Sequence, residues 1–281
     1  MKLNNEIIEV EIANHGAELK SAVKNGFEYM WCADEKYWAR TSPVLFPIVG
    51  SLKDKTYKLN GESFFMSQHG FARDCEFECL DYSDTSATYV LEENKTTLSK
   101  YPFKFKLTIK YTLIESTIRV EWKVENKNDG IMSFSIGAHP AFNLKPGVNY
   151  FKFDTNKDIQ YKLIDESGLY NRKNTYVLKN DGYVKITNEM FDNDALIIEN
   201  KQAKEVSICD CEKKPYLKVN FNTQLFGLWS PAKKNAPFVC IEPWYGRCDG
   251  NDFDGELSER EYIINLNPCE SFNAHYEIEL L

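Results

Sequence analysis

Several absences narrow the reading first. No apolar run is long enough to cross a bilayer; the longest, around PVLFPIVG (43–50), falls far short of a spanning helix. The opening MKLNNEIIEVEIANHG carries no apolar h-region, so the sequence is read as that of a soluble cytoplasmic protein without a signal peptide. There is no basic excess. Lys and Arg number 34 against 42 Asp and Glu, a formal charge of −8, which speaks against nucleic-acid backbone binding. The eight cysteines, at 32, 75, 79, 209, 211, 240, 248 and 269, contain no C-x-x-C pair. Without a secretory signal they read as reduced, mostly structural thiols, with Cys209 and Cys211 two apart on one strand face. Also missing are G-x-S-x-G, a phosphate-cradling glycine loop and H-E-x-x-H. The acidic DGNDFDGE (249–256) fails the calcium-loop template at Phe253 and reads as a solvated loop.

What the chain has in quantity is aromatic residues, 14% of the total, which favour strands. Phe105, Leu107, Ile109, Tyr111 and Leu113 alternate with polar residues. After Glu115–Ser116, so do Ile118, Val120, Trp122 and Val124. A period of two with one apolar face predicts a half-buried antiparallel hairpin. Val206 and Ile208, Val219 and Phe221, and the tail from Phe272 to Leu280 repeat the pattern. Asn25–Gly26 and Asn60–Gly61 suit two-residue hairpin turns, whose central residues need positive φ, and Asp129–Gly130 and Asp181–Gly182 are further turn signals. Helical periodicity is confined to a turn or two near Ser99–Phe103. No linker or internal repeat divides the chain. The expectation is an all-β protein, one large antiparallel β-sandwich domain over residues 1–281.

Five segments do not read as strand filler: WARTSPVLFPIVGSLKD (38–54), QHGFARD (68–74), GAHPAFNL (137–144), MFDNDALII (190–198) and VCIEPWYGRCD (239–249). Each sets an ionisable residue among apolar neighbours. Glu242, between Ile241 and Pro243, is placed to be desolvated at a strand end, which makes a carboxylate a better base; a salt-bridged structural role is the alternative. His139 has small neighbours in Gly137 and Ala138, and reads as a proton donor or as a core histidine bonded to backbone. His69 and Arg73 share a loop in which Gly70 lets the backbone bend. Arg73 suits hydroxyls, carboxylates or phosphate, or a plain pair with Asp74. Asp194 either accepts a hydroxyl hydrogen bond or caps a turn. His15 and His275 read as structural. Trp244, Phe142 and Tyr245 are candidates for the apolar face of a ligand, or for core.

The order FP-x-x-G, HGFAR, GAHPAFNL, CIEPWYG, spread over nearly the whole chain, resembles the aldose 1-epimerase (galactose mutarotase-like) family, and most the LacX-type branch. The resemblance implies a large β-sandwich with a sugar cleft. It makes Glu242 the general base, His139 the general acid, and His69, Arg73 and Asp194 substrate-binding residues. The partner is then a small-molecule sugar, with no metal or cofactor, no nucleic acid and no membrane. Ser51 stands where relatives often carry arginine after FPIVG, with Arg40 a candidate to compensate, and Ala141 replaces a common aromatic, leaving room beside the sugar. The implied reaction interconverts α and β anomers by ring opening, with acid and base on opposite sides of the ring and a bell-shaped pH profile. Two alternatives stand beside it. One is a non-catalytic carbohydrate-binding protein on the same fold. The other is a hexose-6-phosphate mutarotase that uses Arg73 and Arg40. The residues single out no one aldose and no oligomeric state.

Overall fold

The alternating segments assemble into two large antiparallel sheets. A computed structural model describes residues 1–281. The larger sheet has nine strands, with Ser271–Leu280, Thr117–Asn126 and Phe105–Ile114 as adjacent members near its centre. The predicted hairpin is there: Phe105 faces Asn126 and Ile114 faces Thr117 across Glu115–Ser116. Phe105, Leu107, Ile109, Tyr111 and Leu113 are all buried, as are Ile118, Val120, Trp122 and Val124. The smaller sheet has six strands. Its main path runs Leu196–Ile198, Leu225–Trp229, Phe238–Tyr245, Ile136–Ala138, Val44–Leu45, and Ala141–Asn143 also pairs with Phe238–Tyr245.

The inner faces of these two sheets share one core cluster of 60 buried residues, including Leu107 and Val120 from one layer and Phe226, Val239 and Ile241 from the other. Rings meet across the layers, as in Trp122 with Tyr245 and Phe221 with Phe226. At roughly 1.5–3 kcal/mol for each fully buried large side chain, this apolar interior is the main force holding the layers together. A four-stranded sheet from Lys2 to Glu28 joins the same core through Leu3, Val10 and Leu19. No helix is long and apolar enough to cross a membrane.

Local details refine the sequence reading. Asn25–Gly26 and Asn60–Gly61 close hairpins with positive φ at both residues. Asp129–Gly130 and Asp181–Gly182 join strands that do not pair with each other. The one α-helix is Lys95–Lys100, earlier than expected, because Asn94 and Thr97 form a reciprocal cap that ties its start. Cys209 is buried at a strand end while Cys211 is exposed in the following turn, so the two do not share a face. All eight cysteines are free thiols. The acidic 249–256 segment is not simply solvated. Asp249 is buried against Arg260, while Asp252 pairs with Arg172 and Asp254 with Lys58. These cations neutralise the carboxylates that a calcium loop would need.

Candidate active site

The strand Phe238–Tyr245 is buried on both faces, and side chains alternate across it. Val239 and Ile241 point into the main core. Cys240, Glu242 and Trp244 point to the other side, away from the nine-stranded sheet. There Cys240 and Trp244 each join a small apolar cluster. This outer face is the floor of the site.

Register explains how two residues distant in sequence meet. Gly137 faces Trp244 and Ala141 faces Cys240. The same antiparallel register carried across the gap sets His139 opposite Glu242. Pro140 has no N–H to offer, so the partner strand is interrupted at this point. The His139 N–H instead donates to Pro43 O at 3.1 Å. On the other flank Glu242 faces Gly227. Gly227 and Gly137 are small because the Trp244 indole lies over both: a Cβ would come within 2.4 Å and 2.7 Å of its ring, respectively. Trp244 thereby walls one side of Glu242.

All five segments singled out from the sequence converge on one cavity of about 230 Å³. Glu242, His139, His69, Arg73 and Asp194 all line it. His139 Nε2 lies 3.3 Å from Glu242 Oε2, with the carboxyl group 1% exposed. Neither Glu242 oxygen has a hydrogen-bond partner, and His139 Nδ1 has none either. The two groups therefore stand side by side on one wall, not across a ring as the sequence reading expected. Trp38 stacks on the His139 ring with centroids 4.7 Å apart, and Trp229 meets it edge-on at 5.1 Å.

Burial sets the electrostatics. It pushes the Glu242 carboxyl well above the usual range, and the nearby charge of Asp194 pushes the same way. The Trp244 N–H is near enough to oppose this slightly, without the geometry of a hydrogen bond. Burial lowers His139 to about 3; its own backbone resists, and the charges of Arg73 and Arg40 add to the lowering. Each group is thus driven towards its neutral form. The pair holds one proton in common, and its titration belongs to the pair. Asp194 is raised by burial against a hydrogen bond from the Ala195 N–H at 2.7 Å. It sits at φ +71°, so it both closes a turn and faces the cavity.

His69 is held by reciprocal bonds with Gly50. Its own N–H donates to Gly50 O at 2.9 Å, and the Gly50 N–H donates to His69 Nδ1 at 3.1 Å. The neutral ring therefore carries its proton on Nε2. Gly70 follows at φ +71°, where a Cβ would lie 2.2 Å from Phe46 O, so glycine is required. Arg73 donates from Nη2 to Gln68 O at 2.8 Å and lies 3.8 Å from Asp74. Burial, then Arg40, brings its pKa down to about 10, with Asp74 opposing.

Other residues sit differently from the sequence reading. Arg40 pairs with Asp74 at 2.7 Å and does not line the cavity, so it does not stand in for an arginine at Ser51. Ala141 packs with Trp31 and Phe238, so the expected space beside a sugar is filled by protein. Phe142 lies in the main core, and Tyr245 packs on Trp122 and Phe272. The aromatic walls are Trp38, Trp229 and Trp244. Trp38 lay in a segment already singled out. Trp229, Ile164 and Gly168 carried no chemical signal in the sequence. His15 is exposed beside Glu76, and His275 is exposed near Arg119. His139, Cys240 and Glu242 have potential ligand atoms within 4.8 Å of one another. Burial raises the Cys240 thiol well above its usual range, which disfavours the thiolate a soft metal would need.

Comparison with known proteins bears on the family and the fold. The sequence model of the aldose 1-epimerase family matches residues 1–265. The chain belongs to that family. It is 30% identical to Protein LacX, chromosomal, of Lactococcus lactis subsp. lactis, over all of this chain and 99% of that protein. Among solved structures, the galactose mutarotase related enzyme from Lactobacillus acidophilus superposes with a TM-score of 0.93 at 32% identity, covering 100% of this chain and 97% of that one. A galactose mutarotase-like protein from Lactobacillus casei ATCC 334 gives 0.94 at 28% identity, covering 100% and 99%.

Proposed function

We propose that the protein is a cofactor-independent aldose mutarotase acting on a free sugar. The observation that carries this reading is the His139–Glu242 pair: two buried proton-handling groups in contact, on the floor of a cavity, with both carboxylate oxygens unpartnered.

The side-by-side arrangement suits the chemistry. The anomeric hydroxyl O1 and the ring oxygen O5 sit on the same carbon, so groups serving both must be neighbours. The reactive form is the minor tautomer in which the shared proton sits on His139, and from it Glu242 as carboxylate takes the proton from O1. The C1–O5 bond breaks, its electron pair goes to O5, and O5 takes a proton from His139. The products are an open-chain aldehyde, a neutral imidazole and a protonated Glu242. Rotation about C1–C2 presents the other carbonyl face, and the same transfers in reverse close the ring. Burial makes Glu242 a stronger base and His139 a stronger acid, so both shifts favour the opening transfer. Each well-placed acid or base contributes on the order of 10²–10⁴ in rate.

His69 Nε2–H, Arg73 and Asp194 are assigned to the sugar hydroxyls, and Trp38, Trp229 and Trp244 to its apolar face. A phosphate at the hexose 6-position finds little to hold it. Arg40 is engaged by Asp74, and Arg247 by Glu199 and Glu261. Arg73 itself is shared with Asp74 at 3.8 Å and with Gln68 O.

The test is exchange NMR between α and β anomers across a panel of free aldoses. Wild type is expected to accelerate exchange and Glu242→Gln to lose about 10²–10⁴ of that acceleration. Equal rates with and without Glu242→Gln would overturn the assignment. Tight sugar binding without acceleration would instead support the non-catalytic carbohydrate-binding reading.

A further inference from the structure

The ring-opening transfer asks His139 to hold the shared proton, and most of its surroundings push that proton off. Burial disfavours the imidazolium, and the charges of Arg73 and Arg40 add to this. The charge of Asp194 holds the proton on Glu242 instead. The His69 ring, 5.7 Å away and near-perpendicular, is kept neutral by burial, as is the Cys240 thiol. Glu242 favours the cation at 3.3 Å, but only once it has given up the proton itself.

Two uncharged groups meet the imidazole. Trp229 stands near-perpendicular to it at 5.1 Å. Trp38 is stacked on it, with centroids 4.7 Å apart and planes at 29°. The π cloud over an indole face is negative and attracts a cation within about 6 Å of its centroid. A neutral imidazole gains much less from the same contact. The ring is also firmly placed. The Trp38 N–H donates to Asp34 O at 3.0 Å, and its carbonyl accepts from Trp31 Nε1 at 2.9 Å. Trp31 in turn stacks on Phe238, with centroids 4.5 Å apart, so Trp38 is tied to the strand that carries Glu242.

We propose that Trp38 is a positioning residue whose π face stabilises the His139 imidazolium and so sets the population of the reactive tautomer. The proposal rests on the mutarotase reading and adds the group that keeps its proton in place. An indole suits the task because it has no charge of its own. A further carboxylate there would compete for the proton and repel ionised Glu242.

Trp38→Leu is a poor test, because water let in beside His139 also favours the cation. The shape is kept if Trp38 alone is replaced by mono-, di-, tri- and tetrafluorotryptophan through nonsense suppression. Each fluorine withdraws charge from the π face. Anomer exchange of free aldoses is followed by NMR. The kcat should fall stepwise along the series, by about three- to thirty-fold at its end, as for loss of a cation–π contact. A level kcat overturns the proposal, and a level kcat with raised KM marks Trp38 as a sugar platform instead.

The second readout is the ligand-free protein with its four histidines labelled with 15N. At about pH 4 the imidazole shift of His139 catches the foot of a protonation whose midpoint is about 3. The protonated fraction should shrink along the series by the same factor of about three to thirty. An unchanged fraction overturns the proposal. This measurement needs no turnover. If wild type exchanges no sugar, the mutarotase reading fails, and the imidazole shifts still decide whether Trp38 stabilises the cation.

Discussion

The hairpin Phe105–Asn126 and the strand Phe238–Tyr245 solve opposite problems with the same backbone. In the hairpin one face meets the core and the other meets mostly solvent, and the sequence alternates accordingly. In Phe238–Tyr245 both faces are covered, so the sequence reads as an almost unbroken apolar run with one carboxylate inside it. The first arrangement makes stability and little else. The second takes an ionisable residue out of water and leaves both of its oxygens without a hydrogen-bond partner. The difference teaches that Glu242, the proposed base, is placed by register, on the face of a structural strand that looks away from the core.

Adjacent residues put that contrast to its sharpest test. Glu242→Gln should remove about 10²–10⁴ of the exchange rate while moving the melting temperature little, because the amide keeps the shape. Ile241→Ala, one position away and facing the core, should do the reverse. It should cost roughly 2–5 kcal/mol in denaturant unfolding and leave the folded fraction active. If both variants lose activity equally, the two faces are not functionally separate. Trp122→Ala in the hairpin should cost roughly 3–5 kcal/mol with no change in KM for the folded protein. Gly227→Ala should displace the Trp244 ring and raise KM, since the new methyl has no free space. At the small end, Lys110→Thr on the hairpin's exposed face should shift stability by no more than about 0.5 kcal/mol.

The proton shared by His139 and Glu242 adds a pH test that the hairpin cannot mimic. In the unfolded chain these groups titrate near their ordinary values of 6.5 and 4.5. Unfolded, they hold two protons below about 4.5, one between about 4.5 and 6.5, and none above. The folded pair holds one throughout, until His139 protonates at about 3 or Glu242 ionises at its raised pKa. Stability from the pair therefore peaks between about 4.5 and 6.5, falling with acid below and with alkali above. In Glu242→Gln the alkaline decline attributable to the pair should vanish, and the acid decline should begin nearer 6.5, read as melting temperature against pH. The activity profile should be a broad plateau, not a narrow bell.

Legibility in the sequence followed the same divide. Strands with one wet face announced themselves through period two, so Phe105–Asn126 and the C-terminal strand were readable residue by residue. The motif order identified the family, and Glu242, His139, His69, Arg73 and Asp194 do share one cavity. What stayed hidden depends on pairing. Nothing in the chain says that Gly137 faces Trp244, so neither the contact between His139 and Glu242 nor the roles of Gly227 and Trp229 could be read. Arg40 misled because its neighbour Asp74 is distant in sequence, and Phe142 and Tyr245 because an aromatic fits either face of a strand.

One feature carries an evolutionary consequence. His139 is clamped between strands, its N–H bonded to Pro43 and its ring against Glu242, whereas the rim of the cavity includes Ile164 and Gly168 from a loop. On the proposed reading, the acid–base pair and the rim of the cavity thus reside in separable parts. Remodelling those outer pieces is a route to new glycan preferences on an unaltered reaction centre, which makes the scaffold a ready chassis for engineering.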